Sequence, residues 1–257
     1  MPRFAANLTM LFAELPFIER FAAAKDAGFD GVEVLFPYDH AVQEVRDQLV
    51  IHGLTFVLQN TPPPNWAGGP RGFAAVPGLE DRFRRDFDRA LRFADVLKPR
   101  HIHVMAGATD AADARATFVA NLKWATDRAP KRSLTIEPIN RLDMPGYWLA
   151  DFDLATDLLA EVGAPNLGLQ FDAYHAHRIT GDVGGTWARH GHLATHVQIA
   201  GFPGRHEPAG GAINYRGFFA RLDADSYGGW VSAEYAPAGD TRAGLGWRAM
   251  ADEVGRA

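Results

Sequence analysis

The chain has no cysteine among its 257 residues, which excludes a disulfide framework and any thiolate metal site. It has no excess of positive charge either. Lys and Arg total 26 against 31 Asp and Glu, a formal net charge of −5, and no long basic run interrupts that balance. A nucleic-acid partner is therefore not expected. No apolar run reaches the roughly 18 residues read as a membrane-crossing helix, so no membrane partner is expected. The opening Met1-Pro2-Arg3-Phe4-Ala5-Ala6-Asn7 lacks the apolar stretch of a secretory signal, and the expected location is the cytoplasm. What remains is ordinary globular material, 47% hydrophobic and 22% charged. Its length is close to the roughly 250 residues of a (β/α)8 barrel and is enough to bury a full core. A single domain over residues 1–257 is expected. Composition leaves a homo-oligomer open.

Short apolar runs alternate with longer amphipathic stretches about eight times. The expected strands are Phe4–Asn7, Gly31–Leu35, Thr55–Gln59, His101–Met105, Leu134–Glu137, Leu167–Phe171, Thr195–Ile199 and Gly229–Tyr235. Helices are expected from Pro16 through Ala24, from His40 to His52, and over Leu79–Leu97 and Phe152–Val162. Others follow at Trp187–His190, at Tyr215–Leu222 with Asn214 as N-cap, and near Gly246–Val254. The segment Asn60–Gly78, with Pro62-Pro63-Pro64 and Gly68-Gly69, is too rich in breakers for regular structure. It reads as a lid, a binding loop or a plain surface excursion. Nearly continuous apolar strands between helices imply a parallel sheet covered by helices. Eight units without a linker point to a closed TIM barrel. A doubly wound sheet would carry a glycine-rich phosphate fingerprint after its first strand, and Asn7-Leu8-Thr9-Met10 is not one.

In such a barrel the C-terminal strand ends converge on one open face. The last four strands end or pass through Glu137, Asp172, Gln198 and Glu234, spaced by 35, 26 and 36 residues, each about one β/α unit. Three carboxylates in one buried mouth repel one another unless a cation joins them. An all-oxygen donor set favours Mg²⁺ or Mn²⁺ over zinc. The plain alternative is that each acid caps a strand or pairs with an arginine. His175, three residues past Asp172 at the start of the following loop, could donate to a developing oxyanion. Arg205 and His206, just beyond the seventh strand, could grip a substrate carboxylate. His177 and His190 read as surface residues. His103 reads equally as a pocket residue and as a satisfied core histidine.

The sequence resembles the hydroxypyruvate isomerase family, which includes the 2-oxotetronate isomerases, within the xylose-isomerase-like barrel superfamily. The resemblance is carried by Phe4-Ala5-Ala6-Asn7-Leu8, Gly31-Val32-Glu33-Val34-Leu35-Phe36-Pro37-Tyr38 and His103-Val104-Met105-Ala106-Gly107. It continues in Ile136-Glu137-Pro138-Ile139-Asn140, Asp143-Met144-Pro145-Gly146-Tyr147 and Gln170-Phe171-Asp172-Ala173-Tyr174-His175. The last segments are His196-Val197-Gln198-Ile199-Ala200-Gly201, Arg205-His206-Glu207-Pro208 and Glu234-Tyr235. The resemblance implies a metal on Glu137, Asp172, Gln198 and Glu234, and acid/base roles for Glu137 and Glu234. It implies an aldose–ketose-type isomerisation of a small hydroxy-carbonyl acid. Hydroxypyruvate to tartronate semialdehyde comes first, because Asp143-Met144-Pro145-Gly146 looks like that branch; a 2-oxotetronate is the alternative. One departure is Glu234-Tyr235-Ala236-Pro237, where many relatives have Glu-Tyr-Lys-Pro. A ketose 3-epimerase is disfavoured because those relatives usually have histidine where this chain has Gln198. A metal-stabilised binding protein without catalysis stands outside both readings.

Overall fold

The computed structural model describes residues 2–63 and 71–254. Its strands are β1 (Arg3–Asn7), β2 (Gly31–Glu33), β3 (Thr55–Phe56), β4 (Leu58–Asn60), β5 (His101–His103), β6 (Ser133–Ile136), β7 (Leu167–Asp172), β8 (Ala194–Ile199) and β9 (Trp230–Ala233). Their order in the sheet is β3-β2-β1-β9-β8-β7-β6-β5-β4, and every paired neighbour is parallel. The two outermost segments are halves of one stave. Val57 lies between them, donating to Val32 O at 2.8 Å on one side and accepting from His101 N at 2.9 Å on the other. The sheet therefore returns on itself, and the expected eight-stave TIM barrel is present.

The helices between the staves are α1 (Glu19–Asp26), α2 (Val42–Ile51), α3 (Glu80–Leu97), α4 (Ala114–Arg128), α5 (Phe152–Val162), α6 (Ala173–Thr180), α7 (Val183–His190), α8 (Tyr215–Ala224) and α9 (Arg248–Val254). Helix α4 is absent from the expectations above. Its buried side includes Asn121 and Thr126 beside Phe118 and Leu122, so its apolar residues make no clean stripe. Asn214 caps α8 as expected, accepting from Gly217 N at 3.0 Å. His190 is buried rather than a surface residue. Its Nδ1 lies 2.9 Å from Thr156 Oγ1, and its Nε2 lies 3.2 Å from Asp153. His177 is half-buried, beside the Phe202 ring.

Of the Asn60–Gly78 segment, residues 64–70 lie outside the described residues. The part that follows is no free excursion. Ala74 N and Ala75 N donate to Met105 O and Ala106 O, and Phe73, Ala74 and Ala75 are buried.

Strand alternation explains how an apolar run delivers polar groups to the barrel interior. In β7, Phe171 faces outward among Phe152, Trp187 and Phe218, with ring centroids at 5.3, 5.1 and 5.9 Å. Its neighbours Gln170 and Asp172 then face inward. Toward the opposite end of the barrel the buried Trp230 ring packs against Gly31. It lies so close to Gly31 that a Cβ there would sit 2.6 Å from it.

Candidate active site

The sequence Asp172-Ala173-Tyr174-His175 forms no loop. Helix α6 starts directly after β7 because Asp172 is its N-cap, one oxygen accepting from Tyr174 N at 2.7 Å and His175 N at 3.2 Å. The other oxygen faces the mouth, 3.8 Å from His175 Nε2 and 3.5 Å from Arg205 Nη2. Asp172 and Gln198 are register partners across β7 and β8, so they meet at one level of the barrel. Glu137 and Glu234 are the first residues beyond β6 and β9. All four are buried.

His175 lies in the first turn of α6, 2% exposed. Its Nδ1 is 2.6 Å from Asn140 Nδ2. The orientation of that amide is fixed, because Asn140 Oδ1 accepts from Leu142 N and Asp143 N while Nδ2 also donates to Asp143 at 3.1 Å. Nδ1 is therefore the acceptor, and in the neutral ring Nε2 carries the proton. Burial lowers the His175 pKa to about 4, against the opposing pull of Asp172, so the ring is neutral at pH 7. An oxygen of Glu137, one of Asp172 and a nitrogen of His175 lie within 4.8 Å of one another, close enough to share a metal. The tautomer argues otherwise for the histidine: Nε2 presents an N–H, 3.7 Å from Glu137, and acts as a donor.

Arg205 adopts a left-handed backbone with φ of 54°, stabilised where its carbonyl accepts from Ala236 N at 2.9 Å. Its guanidinium lies over the Tyr174 ring, with Nη2 3.5 Å from both Asp172 and Glu234. Burial disfavours its charge, but Glu234, Asp172 and Glu137 outweigh that and push its pKa above the ordinary value. His206 is not brought to the cluster. It is exposed, and its Nδ1 donates to Ala236 O at 2.8 Å. The backbone of Ala236 thus brackets the Arg205-His206 pair from both sides.

Beneath the mouth lies a hydrogen-bonded layer that the sequence analysis missed. Gln170 Nε2 donates to Glu137 at 2.9 Å and to Gln198 Oε1 at 2.7 Å, while Gln170 Oε1 accepts from Thr135 at 2.9 Å. Gln198 Nε2 donates to Glu33 at 2.8 Å. Glu33 also accepts from Asn7 at 2.8 Å and has His196 Nε2 at 2.9 Å. His103, which the sequence left between two roles, faces the interior with Nδ1 3.5 Å from Glu137 and 3.2 Å from Asn60 Oδ1. Burial lowers its pKa to about 3. Glu33 was findable, since it is the one charge in the apolar strand Gly31-Val32-Glu33-Val34-Leu35 and stands at a strand end. Gln170 and Asn140 carry no such mark.

The electrostatics suit a cation. Glu33, Glu137, Asp172 and Glu234 are all buried, while among the described residues Arg205 is the guanidinium in contact with the cluster. Glu137 is raised well above the usual carboxylate range by burial and by Glu234 and Asp172. Burial likewise pushes Glu234 up to about 8, with Arg205 opposing and Asp172 and Glu33 adding. Among four buried carboxyls with one guanidinium in contact, Glu137 and Glu234 hold protons unusually tightly, and a hard divalent ion could take the place of those protons, so the residues present fit such an ion.

The family model described as the xylose isomerase-like TIM barrel matches residues 21–250. The chain is 48% identical over 253 residues to the 2-oxo-tetronate isomerase of Cupriavidus necator, covering 96% of this chain and 97% of that one. It is 41% identical over 253 residues to the hydroxypyruvate isomerase of Escherichia coli, covering 96% and 98%. A crystal structure described as an AP endonuclease, family 2, from Brucella melitensis superposes with a TM-score of 0.93 at 44% identity, over 97% of this chain and 98% of that one. An L-ribulose 3-epimerase, at 18% identity and a TM-score of 0.83, shares the fold. The chain belongs to the xylose isomerase-like TIM barrel family, in its hydroxypyruvate and 2-oxotetronate isomerase branch, and is an isomerase.

Proposed function

We propose that the chain interconverts the aldose and ketose forms of a small hydroxy-carbonyl acid, with Glu137 and Glu234 as the two proton-carrying groups. The observation that carries this is the pair of buried carboxyls, Glu137 and Glu234, brought to one mouth beside Asp172, Gln198, His175 and Arg205. They come from β6 and β9, with β7 and β8 between them, and so address a bound substrate from different sides. One takes the proton from the carbon next to the carbonyl; the other protonates the former carbonyl carbon, while the hydroxyl proton passes to the former carbonyl oxygen. His175 Nε2–H donates to the oxygen on which negative charge develops. Arg205 binds the acid end of the substrate, since it is the guanidinium in contact with Asp172 and Glu234; Arg71 acts on Glu234 only through its charge. Glu137, Asp172, Gln198 and Glu234 would hold a divalent ion, Mg²⁺ or Mn²⁺. When bound, that ion polarises the carbonyl and hydroxyl oxygens.

Hydroxypyruvate and a 2-oxotetronate differ by one hydroxylated carbon and undergo the same chemistry. The sequence motif at Asp143 favours hydroxypyruvate. The higher identity to the 2-oxo-tetronate isomerase, 48% against 41%, favours the four-carbon acid as the better substrate. The test is kcat/KM for hydroxypyruvate, 2-oxotetronates and ketohexoses with Mg²⁺ and with Mn²⁺. Turnover of both acids with no ketohexose epimerisation supports the proposal. Turnover of ketohexoses alone would sink it.

A further inference from the structure

Gln198 is a primary amide, and its two ends are almost the same shape but opposite in function. Only the carbonyl end can face a cation; the NH2 end turned inward would repel it. Something must decide which end points where. Two neighbours do so from opposite sides. Gln170 offers Gln198 its Nε2, the end that also donates to Glu137, while its Oε1 accepts from the Thr135 hydroxyl. Glu33, as a carboxylate, can only accept, and it holds Gln198 Nε2 at 2.8 Å.

Glu33 is itself fixed. It is completely buried, Asn7 donates to Oε1 and His196 Nε2 meets Oε2. Gln198 and His196 lie two residues apart on β8, the spacing that puts both on the inner face, and they grip the two oxygens of Glu33 as a fork. The hydrogen-bond partners of this carboxylate are Asn7, His196 and Gln198, not the proton-carrying pair, on which it acts only through its charge.

We propose that Glu33 is a positioning residue that locks the Gln198 amide with its oxygen toward the mouth, and that metal affinity depends on this lock. The inference rests on Gln198 being a ligand, as proposed above. It predicts that Glu33 acts through Gln198 and not merely as one more negative charge near the site.

The test is a double-mutant cycle with Mn²⁺ alone as the probe, read as a dissociation constant by calorimetry, without substrate. Glu33→Gln, which lets a donor face Gln198, is expected to weaken Mn²⁺ binding by about 10–100-fold, the usual cost of removing such a support. Gln198→Ala should weaken it comparably. The double variant should be no weaker than Gln198→Ala beyond about twofold, because the two residues act as one unit. If Glu33→Gln costs as much in the Gln198→Ala background as alone, the effect is charge and the proposal is overturned. If Gln198→Ala binds Mn²⁺ as the native chain does, the ligand assignment fails and takes the proposal with it. Should Glu33→Gln not fold, Glu33→Asp, which keeps the charge but draws the acceptor back from the Gln198 amide, replaces it in the cycle. Glu33→Asp weakening Mn²⁺ binding by about tenfold, and not further in the Gln198→Ala background, supports the lock. Mn²⁺ binding unchanged in the folded Glu33→Asp variant overturns it.

Discussion

Asp172 divides its two oxygens between jobs, one capping α6 and one facing the mouth. Asparagine is as good an N-cap as aspartate, so Asp172→Asn should keep the helix while turning an NH2 instead of an oxygen to the mouth. Its activity loss should be partly recovered by excess Mn²⁺; a loss independent of metal concentration would show that the carboxylate does more than hold the ion. Glu137→Gln and Glu234→Gln should each lower kcat at saturating Mn²⁺ by about 10²–10⁴-fold, with circular dichroism unchanged. Either variant keeping more than about a tenth of native kcat cannot have lost an essential proton carrier. Arg205→Ala should lower kcat/KM by about tenfold or more, since a charge-assisted hydrogen bond contributes roughly 1.5–3 kcal/mol. Because Arg205 also neutralises Asp172 and Glu234, its removal should alter Mn²⁺ affinity as well, which separates it from a residue that touches substrate alone.

At the scale of the elements, the strands were legible because each stave is a short, mostly apolar run that stands out from the amphipathic helices. Their ends were legible for the opposite reason: Glu137, Asp172 and Glu234 are charges placed where an apolar run stops. The supporting layer was not. Gln170, Thr135 and Asn140 are neutral, and their role is a direction of donation that exists only once β6, β7 and β8 are in register. Helix α4 escaped because its packed face contains amide and hydroxyl groups. Phe171 tests the outward face of β7. Phe171→Ala should destabilise the fold by about 3–5 kcal/mol, measured by denaturant unfolding. Strand β5 makes a prediction of another kind. Burial first, then His196 and Arg100, lower the His101 pKa to about 3. The folded state therefore binds fewer protons than the unfolded chain between pH 6.5 and about 3, and stability present above that window is lost as pH falls through it. His101→Gln, which can still meet Ser133, should flatten the dependence of unfolding free energy on pH; an unchanged slope would assign the acid lability elsewhere.

For the whole molecule, the barrel has two unlike ends. At one, the buried Trp230 packs against Gly31, with the Arg3 guanidinium over the indole at 4.8 Å. The other is the mouth with its cluster of buried carboxyls. A chelator should therefore abolish activity and lower the melting temperature together, since an ion that binds only the folded barrel stabilises it by mass action. Mg²⁺ or Mn²⁺ should restore both; full activity in protein shown by elemental analysis to be free of metal would remove the ion from the mechanism.

The burial of Glu137 and Glu234 has a consequence for isotopes. The Gln170 amide that touches Glu137 from below cannot relay a proton onward, and a substrate in the mouth would cover both carboxyls. The hydrogen taken from the substrate is then expected to stay on one glutamate until product leaves, and the hydrogen given to product to be loaded before substrate arrives. In D₂O the first product formed should already carry one deuterium at the newly protonated carbon. Recovered substrate should carry almost none, because exchange and occupancy exclude each other.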